Sequence, residues 1–364
     1  MAFGIINNVS IKGISAAVPC GFIETGSYEE KFGASGIKRF KKMTGVLKRH
    51  ISIPEQTASD LCFVAAEKLL DYLKWDRSSV DTLILVTPTP DYKIPATSCV
   101  LQHRLGLSES CMAIDINLGC SGYVYGLTVA SSFMRGSVRR ALLLVGDSPN
   151  MDVATEDKST TMLFSDAGAA TALEVATGDI GMNYLLRTDG SGFKHIIKPV
   201  GGARIPRGSY ELKDWGDGVI RNDYQNYMNG AEVFKFSIDK PVNAHFDFFE
   251  KSKLDVNSFD HFVFHQANKF IIDNIVQRVS VPVEKVPISI DRFGNTSGVS
   301  LPLTIVDLCQ NKKNCNLKII LNAFGVGLSW GVMNIEINSD DCLPLIYTDD
   351  YFNDGLLEYT GKPL

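Results

Sequence analysis

The sequence lacks the short motifs that identify many metal-, phosphate- and disulfide-dependent proteins. Its eight cysteines form no CxxC pair, and a chain of 364 residues can bury a core without disulfide staples. No group of His, Cys and Asp has metal-ligand spacing. Neither a GxxxxGK[ST] nor a GxGxxG loop is present. We therefore predict neither a metal site nor a cofactor, and we expect most cysteines to be reduced and buried.

Long hydrophobic runs and an excess of positive charge are also missing. No stretch reaches the roughly 18 to 20 apolar residues that span a bilayer. The N-terminus, MAFGIINNVSIKGISAAVP, has no basic segment before an apolar block and is not predicted to be a signal peptide. A net charge of -5 gives no general reason to expect nucleic acid or a membrane surface as a partner. We expect a soluble, cytoplasmic protein.

What the sequence does contain is a weak internal repeat. Asp81 and Asp260 each precede an apolar run and then a helical pattern, at an offset of 179 (260 minus 81). The apolar runs ALLLVGD and KIILNAF form a second pair, at an offset of 177 (318 minus 141). Chance similarity between buried strands is the alternative explanation. Two pairs at nearly one offset favour a duplicated unit.

Strand and helix patterns alternate in both halves and predict an α/β layered architecture. Thr57 and Asp60 have the spacing of a capping box that opens a helix. We divide the chain into a first half (1–180), a second half (181–338) and an acidic, aromatic tail (339–364). The glycine-rich region 185–230 predicts a long loop excursion at an active-site rim.

Cys120 is the cysteine with a chemical context. The run MAIDINL ends in Gly-Cys-Ser-Gly, and a helix of small and apolar residues follows. This pattern predicts a thiol at a helix N-terminus, where free N–H groups favour a thiolate. A buried structural cysteine is the alternative.

Three further segments carry polar groups that fit such a site. His265 ends an apolar run, where α/β sheets place functional groups, although a core histidine has the same pattern. Asn295 lies in GNTSGVSLP, which by itself also fits a plain turn. The segment NAFGVGLSWG contains Phe324, Gly325 and Val326, and its backbone N–H groups could stabilise an oxyanion.

Together the four segments GCSGYVYGL, HQAN, GNTSGVSLP and AFGVGLSWG resemble the β-ketoacyl-acyl-carrier-protein synthase III family of the thiolase superfamily. The resemblance covers roughly residues 5 to 336. It implies a duplicated five-layer αβαβα fold and a homodimer. It also implies an acyltransferase of fatty acid biosynthesis that joins an acyl group to a malonyl-type thioester, with acyl-CoA or acyl carrier protein as donor.

The resemblance also implies roles for individual residues. Cys120 matches the nucleophile, and His265 and Asn295 match the pair that binds the second thioester and stabilises its enolate. The remaining matches are substrate-binding positions: the Cys120 and Val326 N–H groups in an oxyanion hole, Gly325 beside them, Phe324 near the carboxylate that is lost, Ile94 in the partner subunit's acyl pocket, Lys158 near the nucleotide, Asn268 in HQAN, and Lys235 with Lys269 as carrier-docking cations.

Several positions depart from the family pattern. A tryptophan and an arginine that clamp the coenzyme A adenine are replaced by Arg39 and Met43. Lys158 stands for an arginine, Ala231 for an asparagine and Phe270 for a basic residue. These changes disfavour an enzyme that is primed by acetyl-CoA, and they are compatible with a specialised enzyme that takes its donor from a carrier protein; the choice between CoA and carrier protein stays open.

Two other functions stay open on the sequence. The same Cys120 chemistry could move the acyl group to an alcohol or amine, with His265 as general base. The other hypothesis is a dimer partner without catalytic activity. The presence of Cys120, His265 and Asn295 together disfavours it.

Overall fold

The computed structural model describes residues 2–178 and 181–355. The helices of the described residues are α1 (Glu29–Phe32), α2 (Ala34–Thr44), α3 (Ala58–Leu73), α4 (Thr97–Arg104), α5 (Gly122–Phe133), α6 (Gly230–Ser252), α7 (Lys269–Val279), α8 (Ile290–Phe293) and α9 (Ser300–Cys309). Their strands are β1 (Ala2–Asn7), β2 (Val9–Val18), β3 (Phe22–Glu24), β4 (Lys48–His50), β5 (Thr82–Val86), β6 (Met112–Ile116), β7 (Arg140–Asp147), β8 (Ala167–Val175), β9 (Gly181–Thr188), β10 (Ile196–Ile197), β11 (Lys213–Asp214), β12 (Ile220–Arg221), β13 (Tyr227–Met228), β14 (His261–Phe264), β15 (Asn316–Gly325), β16 (Ser329–Asn338) and β17 (Ile346–Tyr347).

Two mixed sheets form the framework. One has the order β17-β2-β8-β7-β5-β6, and the other has the order β1-β9-β16-β15-β14. In the first, β5 runs parallel to β7, which is antiparallel to β8, which is antiparallel to β2. In the second, β14 runs parallel to β15, which is antiparallel to β16, which is antiparallel to β9. The two sheets thus share this sequence of strand directions. The predicted duplication is therefore present in the strand order.

The paired aspartates of the repeat, Asp81 and Asp260, each accept backbone N–H groups near the start of two parallel strands. Asp81 Oδ2 accepts the backbone N–H groups of Arg139 and Arg140 at 2.7 and 2.9 Å, just before β5 and β7 begin. Asp260 Oδ2 accepts the N–H of Lys318 at 2.8 Å, just before β14 and at the start of β15. Each carboxylate thus fixes the register at which two parallel strands start.

The helices pack in three layers around the two sheets. Helices α5 and α9 lie between the sheets and share one apolar core with both. Helices α3 and α4 cover the outer face of the six-stranded sheet, and α6 and α7 cover the outer face of the other. This arrangement confirms the five-layer αβαβα prediction. The capping box is also present, since the Thr57 N–H donates to Asp60 Oδ2 at 2.9 Å.

The first strand belongs to the sheet of the second half, and the last described strand belongs to the sheet of the first half. Strand β1 pairs with β9 in the second half's sheet, and β17 pairs with β2 at the edge of the first half's sheet. Residues 339–355 are held there by polar contacts as well: Gln56 Nε2 donates to the carbonyls of Thr348 and Asp350, and Asp60 Oδ1 accepts the Phe352 N–H. Residues 356–364 of the predicted tail lie outside the described residues. The boundaries at 180 and 338 stay a prediction.

The excursion begins slightly later than predicted. Strand β9 continues to Thr188, because its last residues pair with β16. From there to Asn229, the chain forms loops and two short antiparallel strand pairs, β10 with β13 and β11 with β12. Ile196 and Met228, from the first of these pairs, line the cavity described below. The prediction of a loop segment at the site's rim is therefore confirmed.

Candidate active site

A cavity of about 680 Å³ lies where the two halves meet. Its inner end contains Cys120, His265, Asn295 and Phe324, which come from four distant segments. Its outer part is bordered by α2, by the start of α6 and by the start of α7. The fold therefore brings the three predicted catalytic side chains together in one apolar cleft of the size that small-molecule ligands occupy.

Cys120 stands where the sequence predicts, between β6 and the first residue of α5. Its Sγ lies 3.6 Å from Ser297 Oγ. Close packing explains the glycine at 325, since a Cβ there would overlap Cys120 Cβ and stand 3.0 Å from Sγ. The thiol is thus reached through the cavity and enclosed behind by small residues.

The acidity of this thiol is set by opposing effects. Burial raises the pKa of Cys120 to about 11, whereas Ser297 and the N–H groups of Cys120 and Val326 act in the opposite direction. A helix N-terminus stabilises a negative charge by at most about 2 kcal/mol, which lowers a pKa by about 1.5. Burial and the helix N-terminus therefore act on the pKa of Cys120 in opposite directions, and the thiolate stays a prediction.

His265 follows β14 and is almost fully buried. Its Nδ1 lies 2.7 Å from Ser300 Oγ, at the first residue of α9. Burial lowers the pKa of His265 to about 3, so the imidazole is neutral. The Gln266 N–H donates to Ser300 Oγ at 3.4 Å. We assign the Ser300 hydroxyl as the donor to Nδ1, which leaves the ring proton on Nε2 and makes Nε2 a donor.

Asn295 is fixed by its neighbours. Its backbone N–H donates to the Leu163 carbonyl at 2.9 Å, and its own carbonyl accepts the Ser165 N–H at 3.0 Å. Its Oδ1 accepts the Ser297 N–H at 2.9 Å, while Nδ2 makes one long contact of 3.4 Å to the Ala267 carbonyl. The amide oxygen is therefore occupied, and Nδ2 keeps a proton for a ligand in the cavity.

The end of β15 completes the inner wall. The Phe324 ring stands edge-on to His265, with centroids 5.3 Å apart. Gly325 lines the cavity beside it, and Val326 follows in the tight turn to β16. The Val326 N–H acts on the Cys120 sulfur together with the N–H of Cys120 itself. Two backbone donors thus converge beside the nucleophile, as the resemblance predicts for an oxyanion hole.

All five positions that depart from the family pattern line the cavity: Arg39, Met43, Lys158, Ala231 and Phe270. The Phe270 ring stacks on Phe234 at 5.5 Å, which makes one side of the outer cavity aromatic. The Lys158 ammonium lies against Gly36 of α2 and 5.8 Å from the Phe32 ring. The outer cavity therefore combines an apolar surface with the cations of Lys158 and Arg39.

The other predicted binding residues are placed differently. Asn268 lines the cavity, but its side-chain oxygen caps α7 by accepting the Ile271 N–H at 2.8 Å. Lys235 is exposed on α6 outside the cavity lining, and Lys269 pairs with Asp273 at 2.7 Å. Ile94 is 86% exposed and does not line this cavity. These four roles stay predictions.

Three polar residues behind the site were not predicted. Ser300 contacts His265, Ser297 contacts Cys120, and Ser297 also acts to lower the pKa of Asp147 at the end of β7, which burial raises. The two serines lie inside the motif GNTSGVSLP, so their position was a usable signal. The signal for Asp147 was a carboxylate that ends the apolar strand ALLLVGD.

Comparisons with known proteins agree with this site. The family model described as 3-oxoacyl-[acyl-carrier-protein (ACP)] synthase III matches residues 114–190, and the model of its C-terminal part matches residues 249–337. The β-ketoacyl-[acyl-carrier-protein] synthase III of Clostridium perfringens is 32% identical over 339 residues, which cover 91% of this chain and 100% of that protein. The chain belongs to the 3-oxoacyl-[acyl-carrier-protein] synthase III family.

Two further relatives extend this result. The β-ketoacyl-[acyl-carrier-protein] synthase III of Caldanaerobacter subterraneus is 32% identical over 326 residues, 86% of this chain and 96% of its own length. The crystal structure of a 3-oxoacyl-(acyl-carrier protein) synthase from Burkholderia xenovorans LB400 superposes with a TM-score of 0.87 at 34% identity, covering 95% of this chain and 99% of that one. This synthase III family member is therefore a condensing acyltransferase with the thiolase fold.

Within residues 2–178 and 181–355, no helix is both long and apolar enough to cross a membrane.

Proposed function

We propose that the enzyme loads an acyl group from a thioester onto Cys120 and then condenses it with a malonyl-type thioester, with loss of carbon dioxide. Acylation makes a covalent intermediate on the sulfur. In the second step the malonyl carbon, freed of its carboxylate, attacks the acyl carbonyl. The product is a 3-oxoacyl thioester. His265 Nε2 and Asn295 Nδ2 hold the thioester carbonyl of the second substrate and stabilise its enolate.

The observation that carries this proposal is the contact of 2.7 Å between Ser300 Oγ and His265 Nδ1, in which we assign the hydroxyl as the donor. Because it leaves the proton on Nε2, the imidazole faces the cavity as a donor and not as a base. A donor serves an enolate oxygen, whereas transfer to an alcohol or amine needs a base. Among the described residues that line the cavity, no carboxylate offers that base.

The apolar lining supports the loss of carbon dioxide. The malonyl carboxylate would approach Phe324 at the inner end of a cavity lined mainly by apolar side chains. A carboxylate that is taken out of water into such surroundings is destabilised, and decarboxylation removes the charge. The departing carbon dioxide leaves its electron pair on the neighbouring carbon, so this step requires no base from the protein.

We further propose that the acyl donor arrives on an acyl carrier protein. Helix α2 borders the cavity mouth and carries Lys38, Arg39, Lys41 and Lys42 with no acidic residue. None of the four forms a salt bridge within the described part of the chain. A basic rim on a protein of net charge -5 favours an acidic partner whose thioester arm enters the cavity. Lys235 is exposed on α6, and the paired Lys269 lies against Gly45 at the end of α2.

A homodimer belongs to the same proposal. Strand β6 is an edge of the six-stranded sheet, and Ile94 is exposed nearby in sequence. An exposed edge strand is a template for pairing with a second chain. That pairing would let Ile94 reach the partner's acyl pocket, as the resemblance implies. The cytoplasmic location stays a prediction.

The test is intact-protein mass spectrometry after incubation with acyl-CoA and acyl carrier protein thioesters. We expect a mass gain that Cys120→Ala abolishes and that Cys99→Ala, a change of an exposed cysteine in α4, leaves intact. His265→Ala should keep the acylation but stop carbon dioxide release from the malonyl thioester. Acylation of the Cys120→Ala variant, or an ester or amide product without carbon dioxide, would refute the proposal.

A further inference from the structure

The position of Asn295 depends on a short pairing between two loop segments. The backbone at Phe164 and Asn295 forms an isolated parallel bridge. In this bridge the Asn295 N–H donates to the Leu163 carbonyl at 2.9 Å, and the Ser165 N–H donates to the Asn295 carbonyl at 3.0 Å. Short strand pairs are only marginally stable by themselves. The place of Asn295 in the cavity therefore depends on what holds the Phe164 segment.

Arg49, in strand β4, contacts both sides of this bridge. Its Nη1 donates to the Phe164 carbonyl at 2.7 Å. Its Cγ lies close to the backbone before Asn295, since a Cβ at Gly294 would stand 3.4 Å from this atom and 2.9 Å from the Leu163 carbonyl oxygen. Gly294 also has a φ of 62°, which glycine adopts without strain. The Arg49 stem thus packs beside one segment of the bridge, and its guanidinium binds the other.

The guanidinium is held from two further directions. Nη1 also donates to Asn150 Oδ1, and Nη2 donates to the Tyr28 hydroxyl, each at 2.7 Å. Arg49 is 2% exposed, and a buried charge is costly unless it is well hydrogen-bonded. Asn150 Nδ2 donates in turn to Asp166 Oδ1 at 2.9 Å, so this amide links the buried cation to a buried carboxylate. The planar guanidinium with three acceptors therefore has one fixed position.

The rest of β4 holds the residues that follow Phe164. The His50 N–H donates to Ser165 Oγ at 2.6 Å, and the Asp166 N–H donates to the His50 carbonyl at 3.0 Å. These contacts fix the segment just after the bridge. At the bridge itself, the Phe164 carbonyl is bound by Arg49. Arg49 is thus the side chain that joins β4 to the residue opposite Asn295.

We propose that Arg49 is a positioning residue for condensation, because it holds the Phe164 segment at the place where Asn295 presents Nδ2 to the second substrate. This inference rests on the proposed function. Since Asn295 Oδ1 accepts the Ser297 N–H at 2.9 Å, the direction of Nδ2 follows the backbone of this loop. A shifted backbone would move Nδ2 away from the enolate oxygen that it stabilises. Acylation uses the Cys120 thiol and its oxyanion hole, and the Arg49 contacts described above do not include these groups.

The test compares the two reaction steps in Arg49→Met, which keeps an apolar stem and removes the guanidinium. Acylation is followed by intact-protein mass with an acyl-pantetheine thioester, and condensation by carbon dioxide release from a malonyl-pantetheine thioester with preacylated enzyme. We expect kcat of condensation to fall by about 10- to 100-fold, with a smaller change in KM, because a transition-state donor is misplaced. The acylation rate should change by less than about threefold. Arg49→Lys keeps the charge but not the planar fork, and its kcat should lie between those of Arg49→Met and the unmodified enzyme.

The matched control is Arg104→Met. It removes another buried guanidinium, which pairs with Asp60 at 2.9 Å on the outer side of the first half's sheet. Both variants should unfold at a lower temperature, but Arg104→Met should keep the normal ratio of the two rates. A normal condensation rate in Arg49→Met, or equal losses in both steps, overturns the inference. If Arg49→Met does not fold, Arg49→Lys decides by the same ratio. If the unmodified enzyme is not acylated on Cys120, or releases no carbon dioxide, the proposed function itself fails.

Discussion

Removing the Ser300 hydroxyl tests whether condensation depends on which nitrogen of His265 carries the ring proton. In the structure Ser300 Oγ lies 2.7 Å from His265 Nδ1, and both side chains are buried. The hydroxyl is assigned as the donor. Replacing Ser300 by Ala removes the hydroxyl and keeps the backbone carbonyl that the Thr304 side chain uses within α9. The imidazole is then free to carry its proton on either nitrogen.

The size of the effect follows from the burial of Nδ1. A buried acceptor left without its partner costs about 1–3 kcal/mol. If that cost falls on the transition state of condensation, the rate drops by about 5- to 150-fold. Acylation of Cys120 should change by less than about twofold, because no hydrogen bond joins the Cys120 thiol to His265 in the described structure.

Two assays on one preparation separate the two steps. Acylation is followed by intact-protein mass, and condensation is followed by carbon dioxide release from a malonyl thioester with preacylated enzyme. Ser289→Ala is the matched control, because Ser289 is an equally buried serine that bonds to Thr304 and does not contact His265. If the Ser300→Ala enzyme condenses at the normal rate, or loses both steps in parallel, the assigned tautomer of His265 does not contribute specifically to condensation.

Two more changes test the walls of the cavity. Gly325→Ala places a Cβ into the volume of Cys120 Cβ and should slow acylation by about 100-fold in the same mass assay, whereas Gly202→Ala meets no neighbour and should be neutral. Lys42→Glu on α2 should raise the KM for a carrier-borne substrate about fivefold and leave that for a pantetheine thioester unchanged. Lys68→Glu, which reverses an exposed charge on α3, is its control, and equal effects of the two reversals would contradict docking at α2.

Much of the fold could be predicted because short stretches of sequence determine where its strands and helices begin. Asp81 and Asp260 marked the starts of β5 and β14, and Thr57 with Asp60 marked the start of α3. The crossing of the chain ends could not be read in this way. Strand β17 has two residues, and it forms because Gln56 and β2 supply partners that lie far away in sequence.

The site, too, could be predicted only in part. Cys120, His265 and Asn295 were predicted from motifs, and the structure places them in one cavity. The protonation states could not be predicted, because they depend on burial and on side chains from other segments. The helix N-terminus predicted a thiolate at Cys120, yet burial raises the pKa of this thiol to about 11.

The distribution of protons around Cys120 explains why this site favours carbon–carbon bond formation. On the cavity side, His265 Nε2 and Asn295 Nδ2 are donors, and no carboxylate lines the described cavity. Asp147 is buried and does not line this cavity either. An alcohol or amine acceptor would therefore find no group to take its proton. A malonyl thioester needs none, because decarboxylation supplies the nucleophilic carbon directly.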